Sequence, residues 1–303
     1  ETFVTISTQG YIKRIKSDTY KLQKRGGSGV KAMATKEDDS VRHLFKCNTH
    51  DEIMFFTNLG KVYSLKVYEI PEYARVAKGL PIVNLINISN GELITTVLTR
   101  SESGTIIDED VEQEGEVEKE HKGKDYKYLF MATRYGTVKK TLISEYENIR
   151  SNGLIAINLV DNDELIWVKP TTGNNEILLV TKLAKSIRFN EQDARETGRS
   201  SQGVRGIRLK EGDEVISMDV VRNEEQLLLT IAENGFGKIS DLGQFGIQNR
   251  GGSGIFAARV NNKTGNLVIA RILDHPNKDL LILSSKGQAV RIPTKELPLR
   301  NRQ

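Results

Sequence analysis

Leu129-Phe-Met-Ala-Thr-Arg-Tyr-Gly136 is followed by Thr137-Val-Lys-Lys-Thr141, so an apolar run meets a short basic run across a turn that ends in glycine. Two β-prone runs on either side of such a turn read as a β-hairpin. The same shape recurs upstream at Phe3-Val-Thr-Ile-Ser-Thr-Gln-Gly10 and Ile53-Met-Phe-Phe-Thr-Asn-Leu-Gly60. Downstream it recurs at Ile177-Leu-Leu-Val-Thr-Lys-Leu-Ala184, Leu228-Leu-Thr-Ile-Ala-Glu-Asn-Gly235 and Leu280-Leu-Ile-Leu-Ser-Ser-Lys-Gly287. The six turn residues are spaced by 50, 76, 48, 51 and 52 positions.

A second marker keeps phase with the first. Gly29, Gly79, Gly153, Gly203 and Gly254 follow the turn residues by 19, 19, 17, 19 and 19 positions. Each precedes another strand-like run, a polar turn (Asn90-Gly91, Asp161-Asn162-Asp163, Glu211-Gly212-Asp213) and a closing apolar run such as residues 93–98 or 215–220. Each unit therefore reads as two hairpins, with short helical turns expected near 143–149 and 191–196. A period of about fifty residues with four strands per unit is that of a propeller blade. The expected fold is all-β, a propeller-like ring of six four-stranded blades in one domain spanning 1–303. The 76-residue spacing marks an acidic insertion at about 101–125. The sixth unit stops about 25 residues short.

The chain has 44 basic and 40 acidic residues, a net charge of +4. Nine acids and a single base fall within 102–120, which leaves +12 on the rest. A basic body with a local block of acid points to a polyanionic partner. One cysteine, Cys47, and four scattered histidines exclude a disulfide framework and a thiolate-rich zinc site. No run approaches the roughly 20 apolar residues that span a bilayer, and a reducing cytoplasm is the expected setting. The chain begins at Glu1 without a methionine and reads as part of a larger protein.

Enzyme motifs are absent from the sequence. Residues 26–31 are glycine-rich but lack the Gly-Lys-Ser/Thr ending of a phosphate loop, and there is no Gly-x-Ser-x-Gly elbow or His-Glu-x-x-His pair. The paired acids Asp38-Asp39 and Asp161/Asp163 fall in turns, where aspartate is favoured by turn geometry. Trp167, on a strand, reads as core. No catalytic residue and no metal ligand is assigned.

The stretch Gln23-Lys24-Arg25-Gly26-Gly27-Ser28-Gly29 places two cations beside three glycines that free the backbone for close approach to phosphates. A partial copy, Gln248-Asn249-Arg250-Gly251-Gly252-Ser253-Gly254, occupies the same place in the fifth unit. Cations also recur once or more per unit after the turn: Lys13, Arg14, Lys61, Lys139, Lys140, Lys185, Arg188, Lys238 and Arg291. More precede the second glycine: Arg75, Lys78, Arg150, Arg199 and Arg250. Many distributed cations without a base-reading helix suit duplex DNA that must be bent, because phosphate contacts offset the bending energy. No row of aromatics spaced for base stacking accompanies them, which argues against single strands.

The heptapeptide at 23–29 resembles the box motif, Gln-Arg-Arg-Gly-Gly-Arg/Lys-Gly, of the C-terminal DNA-wrapping domain family of bacterial DNA gyrase A subunits. Lys24 stands for an arginine and Ser28 for a cation. Lys61-Val-Tyr-Ser-Leu-Lys-Val-Tyr68, Pro81-Ile-Val-Asn-Leu85, Gly136-Thr-Val-Lys-Lys-Thr141, Leu159-Val-Asp-Asn-Asp-Glu-Leu165 and Gly203-Val-Arg-Gly-Ile-Arg-Leu209 are similar to the same family, in order along the chain. The resemblance implies a six-bladed β-pinwheel, in which neighbouring blades exchange strands, with a basic rim that wraps double-stranded DNA with positive handedness. It implies no cofactor in this domain, ATP and Mg being used elsewhere in the holoenzyme. The implied partners are the remainder of the gyrase A polypeptide and gyrase B in an A2B2 enzyme of the bacterial cytoplasm and nucleoid, with no membrane. The equivalent domain of topoisomerase IV and a protein-binding propeller scaffold are the alternatives.

Overall fold

The computed structural model describes residues 1–16, 39, 41–107, 125–274, 279–283 and 289–302. The box at 23–29 and most of the acidic insertion lie outside them. The chain forms two compact units, one built mainly from residues 1–123 and the other mainly from 124–147, 155–282 and 290–303.

In the first unit, β1 (Thr2–Ser7) and β2 (Tyr11–Lys16) form the hairpin around Gly10, and β3 (Val41–Cys47) pairs with the other edge of β1. β4 (Glu52–Thr57), β5 (Lys61–Lys66) and β7 (Ile94–Arg100) repeat that arrangement, with β8 (Ile106–Ile107) added on β7. The fourth strand of the first sheet is β6 (Leu80–Pro81), two residues from the next repeat that pair with Tyr11 and Ile12 of β2. The core joins Val4, Ile6, Ile12, Phe45, Ile53, Phe55 and Tyr63, all buried.

The second unit repeats the pattern. β9 (Tyr128–Thr133) and β10 (Thr137–Leu142) form a hairpin, β12 (Leu165–Thr171) closes it, and β15 (Val204–Arg205) arrives from the following repeat. The equivalent two-residue strand of the third repeat itself is β11 (Leu154–Ile155). β13 (Glu176–Thr181), β14 (Lys185–Asn190) and β16 (Val215–Val221) take β19 (Ile255–Phe256) in the same way. β17 (Leu227–Ala232), β18 (Gly237–Asp241) and β20 (Leu267–Leu273) form a three-stranded sheet, and β21 (Asp279–Leu283) pairs with β22 (Ala289–Pro293). Phe130, Phe189, Leu179 and Ile207 lie in the core of the third and fourth sheets, and Trp167 packs half-buried against it.

The run after Gly79, Gly153, Gly203 and Gly254 is thus a correction to the expected hairpin strand. Only two of its residues are in a sheet, and that sheet belongs to the preceding repeat. The glycine makes this possible. A Cβ on Gly79 would lie 2.6 Å from the Ile12 carbonyl oxygen, and one on Gly203 2.4 Å from that of Val138, and both residues have positive φ. The expected helical turns are 3-10 turns at Ile143–Tyr146 and Glu191–Asp193.

The turn acids explain the register. In four repeats a buried carboxylate from the second turn accepts a hydrogen bond from a threonine hydroxyl at the first: Thr8 to Asp39 at 2.9 Å, Thr57 to Glu92 at 2.6 Å, Thr133 to Asp163 at 2.7 Å and Thr181 to Asp213 at 2.7 Å. The strand register shifts at or beside this threonine in each case. Asp39 and Asp163 are therefore structural pins, their oxygens turned onto the protein.

Candidate nucleic-acid interface

The cations expected on one surface fall into two groups. Lys13, Lys139, Lys140 and Arg188 are buried. Lys13 donates from Nζ to the carbonyls of Ala77 at 2.8 Å, Ala74 at 3.4 Å and Arg75. Lys139 donates to the carbonyls of Ala156 at 2.6 Å, Gly198 at 3.2 Å and Arg199. Lys140 reaches the Glu191 carbonyl at 3.3 Å, and Arg188 is paired with Glu176 at 2.6 Å and with Glu224. These nitrogens point into the fold, because the loop of the next repeat lies over the strand edge and brings carbonyls that need donors. Burial pushes the Lys13 ammonium down to about 8, with Arg75 adding to it, and Lys139 down to about 7, against the opposing pull of Glu145.

Lys238, half-buried, does the same for the last repeat and donates to the carbonyls of Asn301 and Arg302, each at 2.7 Å. Burial lowers its pKa as well. Lys13, Lys139 and Lys238 all stand three positions after the turn residue, in the first, third and fifth repeats. Tyr63 and Ile187 hold that position in the second and fourth. The alternation is visible in the sequence once the repeats are aligned on their turns, and the ring-of-cations expectation passed over it.

Arginines fifteen positions after the turn residue make a complementary link. Arg199 Nη1 donates to the Ile155 carbonyl at 2.8 Å, Arg250 to those of Asp193 (Nε, 2.9 Å) and Arg205, and Arg302 Nη1 to that of Phe256 at 2.7 Å. Ile155, Arg205 and Phe256 are each the second residue of an exchanged two-residue strand. Arg302 was missed in the sequence, although it stands 52 positions after Arg250.

The remaining cations whose side chains are described lie at least partly in solvent. Arg150 is exposed and makes no ion pair among the described residues. Lys61 is half-buried. Arg75 is half-buried, its carbonyl held by Lys13. Arg14 pairs with Glu72 at 3.6 Å. Lys78 sits 3.7 Å over the Tyr11 ring and Lys185 3.6 Å over that of Phe256, contacts that orient a cation and leave its outer side to solvent. Arg291 lies on β22. Among the described residues no three of His, Cys, Asp or Glu come together to hold a metal ion. Among the same residues no helix is long and apolar enough to cross a membrane.

Comparison with known proteins gives one consistent result. The DNA gyrase A protein of Staphylococcus epidermidis (strain ATCC 12228 / FDA PCI 1200) is 40% identical over 295 residues, 97% of this chain and 31% of the relative. That of Staphylococcus aureus (strain NCTC 8325 / PS 47) is 39% identical over the same shares. The chain thus spans about a third of the length of these relatives. A solved DNA gyrase A C-terminal domain superposes with a TM-score of 0.74 at 26% identity, covering 99% of this chain and 92% of that one. A topoisomerase IV C-terminal domain gives 0.78 at 24% identity, covering 99% and 86%, which speaks for the fold alone. The family described as "DNA gyrase C-terminal domain, beta-propeller" matches in six successive segments, 1–48, 51–100, 127–172, 175–222, 226–274 and 278–303. With six matched repeats, all-β sheets and exchanged edge strands, this chain belongs to the DNA gyrase C-terminal domain family.

Proposed function

We propose that this chain binds duplex DNA along its outward cations and wraps it with positive handedness, so that the larger enzyme can introduce negative supercoils. The reading rests above all on the match of all six repeats to the gyrase C-terminal family. The exposed or partly exposed cations Lys61, Arg75, Lys78, Arg150, Lys185, Arg199 and Arg250 would supply phosphate contacts, together with Arg14, Arg291 and the box at residues 23–29. In this proposal the six repeats act as one DNA-wrapping body. Strand cutting, with its ATP and Mg, belongs to the remainder of the gyrase A polypeptide and to gyrase B in an A2B2 enzyme of the bacterial cytoplasm. Identity at the 40% level to gyrase A proteins favours gyrase over topoisomerase IV.

The test is topological. Nicked circular DNA is incubated with the chain, sealed with ligase, and its linking number read after the protein is removed. A positive shift that grows with protein added is expected. Tight binding with no shift would overturn wrapping, and absence of duplex binding at low salt would overturn the whole reading.

A further inference from the structure

A cavity of about 780 Å3 in the second unit lies between the β9–β10 turn and the segment around β15. Arg205, Arg208 and Lys210 line it, and all three are exposed. None takes part in an ion pair among the described residues. The acids on the same wall are already engaged. Asp163 accepts from Thr133 Oγ1 at 2.7 Å and from the amides of Tyr135 and Glu164 at 3.1 and 2.8 Å. Asp213 accepts from Thr181 Oγ1 at 2.7 Å and from the amides of Leu183 and Glu214, both at 2.9 Å. Glu214 is paired with Arg134 at 2.7 Å. The positive charge of the trio is therefore left without a partner among the described residues.

We infer that this cavity is a phosphate site, built by Arg205, Arg208 and Lys210, that holds backbone phosphate of duplex DNA. The inference rests on the DNA-binding reading above and adds a site that the per-repeat cations do not include.

The local fold presents the trio. Between Arg205 and Ile207 the chain passes so close to the core that a Cβ on Gly206 would lie 2.6 Å from Val138 Cγ1 and 2.9 Å from Leu179 Cδ1. Gly206 and Ile207 are buried there, which leaves Arg205 and Arg208 on the solvent side. The fifth-repeat loop then pins this backbone from outside: Gly251 N donates to the Gly206 carbonyl and Arg208 N to that of Gly252, both at 2.8 Å, and Arg250 donates to the Arg205 carbonyl. Cations on a fixed backbone lose less freedom on binding than cations on a free loop. Two arginines also offer forked donors that match phosphate oxygens.

The trio is peculiar to one repeat. Counting two, five and seven positions from the second glycine gives Arg205, Arg208 and Lys210 in the fourth repeat. It gives Phe256, Arg259 and Asn261 in the fifth, Ile155, Asn158 and Val160 in the third, Pro81, Asn84 and Ile86 in the second, and Lys31, Ala34 and Lys36 in the first, so all three positions are cationic together in the fourth alone. The shared fold does not require cations at all three positions, since the second and third repeats have none there.

The test uses the triple variant Arg205→Gln/Arg208→Gln/Lys210→Gln and a 40-bp duplex titrated at several salt concentrations. Three lost phosphate contacts should reduce the slope of log affinity against log salt by about 2.7 and weaken binding at least tenfold at about 150 mM salt. The melting midpoint should stay that of the parent, because these side chains carry no hydrogen bond that holds the fold. In a second measurement Gln202→Cys, on the cavity wall, is labelled with a photo-crosslinker, Cys47 being buried. Crosslinks to duplex are expected. Sodium triphosphate is the free-phosphate arm. Saturable triphosphate binding that shields the label of the Gln202→Cys variant, with no duplex crosslink, would assign the site to a soluble phosphate compound and overturn the DNA assignment. A triple variant with the parent's slope overturns this site alone. A parent that fails to bind duplex at about 50 mM salt overturns the wider reading and this site with it.

Discussion

Replacing Lys139 by methionine separates the two roles a cation can have in this protein. The stem keeps its length and packing, and only the ammonium is lost. Three carbonyls face it, those of Ala156, Gly198 and Arg199. Two keep other donors: Ala156 O still accepts from Tyr146 OH at 3.1 Å, and Gly198 O from Ser201 N at 3.1 Å. The Arg199 carbonyl is the one left unsatisfied, which costs about 1–3 kcal/mol, partly offset because an ammonium no longer has to be buried. A net loss of about 1–2 kcal/mol corresponds to a fall of about 2–8 °C in the melting midpoint. The salt slope of DNA binding should not change. pH gives a second signature. Lys139 is pushed down to about 7 when folded, against about 10.4 unfolded. Between these values the unfolded chain holds a proton that the folded chain has released. Stability from this group therefore rises from about pH 7 toward pH 10, and the methionine variant should lack that rise. Differential scanning calorimetry across this window, with a DNA titration at three salt concentrations, reads both. An unchanged midpoint with a slope reduced by about 0.9 would mean that Lys139 reaches a phosphate, and the reasoning from its carbonyl contacts would be refuted.

Replacing Lys24 and Arg25 by alanine should abolish the linking-number shift while duplex affinity falls by no more than about tenfold at moderate salt, and a variant that shifts linking number like the parent would show the box to be a plain linker. Deleting residues 108–120, which spares β8, should leave duplex binding equal or tighter, since the block is strongly acidic, and weaker binding by a folded deletion variant would count against repulsion. Burial and the neighbouring Arg42 push His43 down to about 4, so the unfolded chain takes up a proton near pH 6.5 that the folded chain refuses. Stability should therefore fall between pH 6.5 and 4 by on the order of 2–3 kcal/mol, and His43→Phe should flatten that part of the profile in urea titrations.

The repeat was legible in the sequence because each hairpin is local. An apolar run, a turn residue and a second run within about fifteen positions fix β1–β2, β4–β5, β9–β10, β13–β14 and β17–β18 without help from elsewhere. The glycines of the second marker were legible too, since only glycine fits where the chain crosses a carbonyl at 2.3–2.6 Å from a would-be Cβ, as at Gly79, Gly203 and Gly254. Asp161 and Asp163 were rightly read as turn residues, although the threonine partner of Asp163, thirty positions away, was not seen.

Two features depended on tertiary structure. The first is the exchange of edge strands. Val204–Arg205 carry the same alternation whether they pair within their own repeat or with β10 of the one before, so nothing local distinguishes the two. The second is which cations face solvent. Lys139 and Lys140 are adjacent basic residues on a strand, and sequence alone places such residues at a surface. Both are buried because the loop around residues 191–199, about fifty positions later, lies across them and brings carbonyls that require donors. A side chain's direction follows from strand alternation, but whether anything covers it is decided by a distant segment. The sequence therefore determined the first hairpin of each of the first five repeats, and the packing of one repeat on the next decided which cations stitch the fold and which remain for a phosphate.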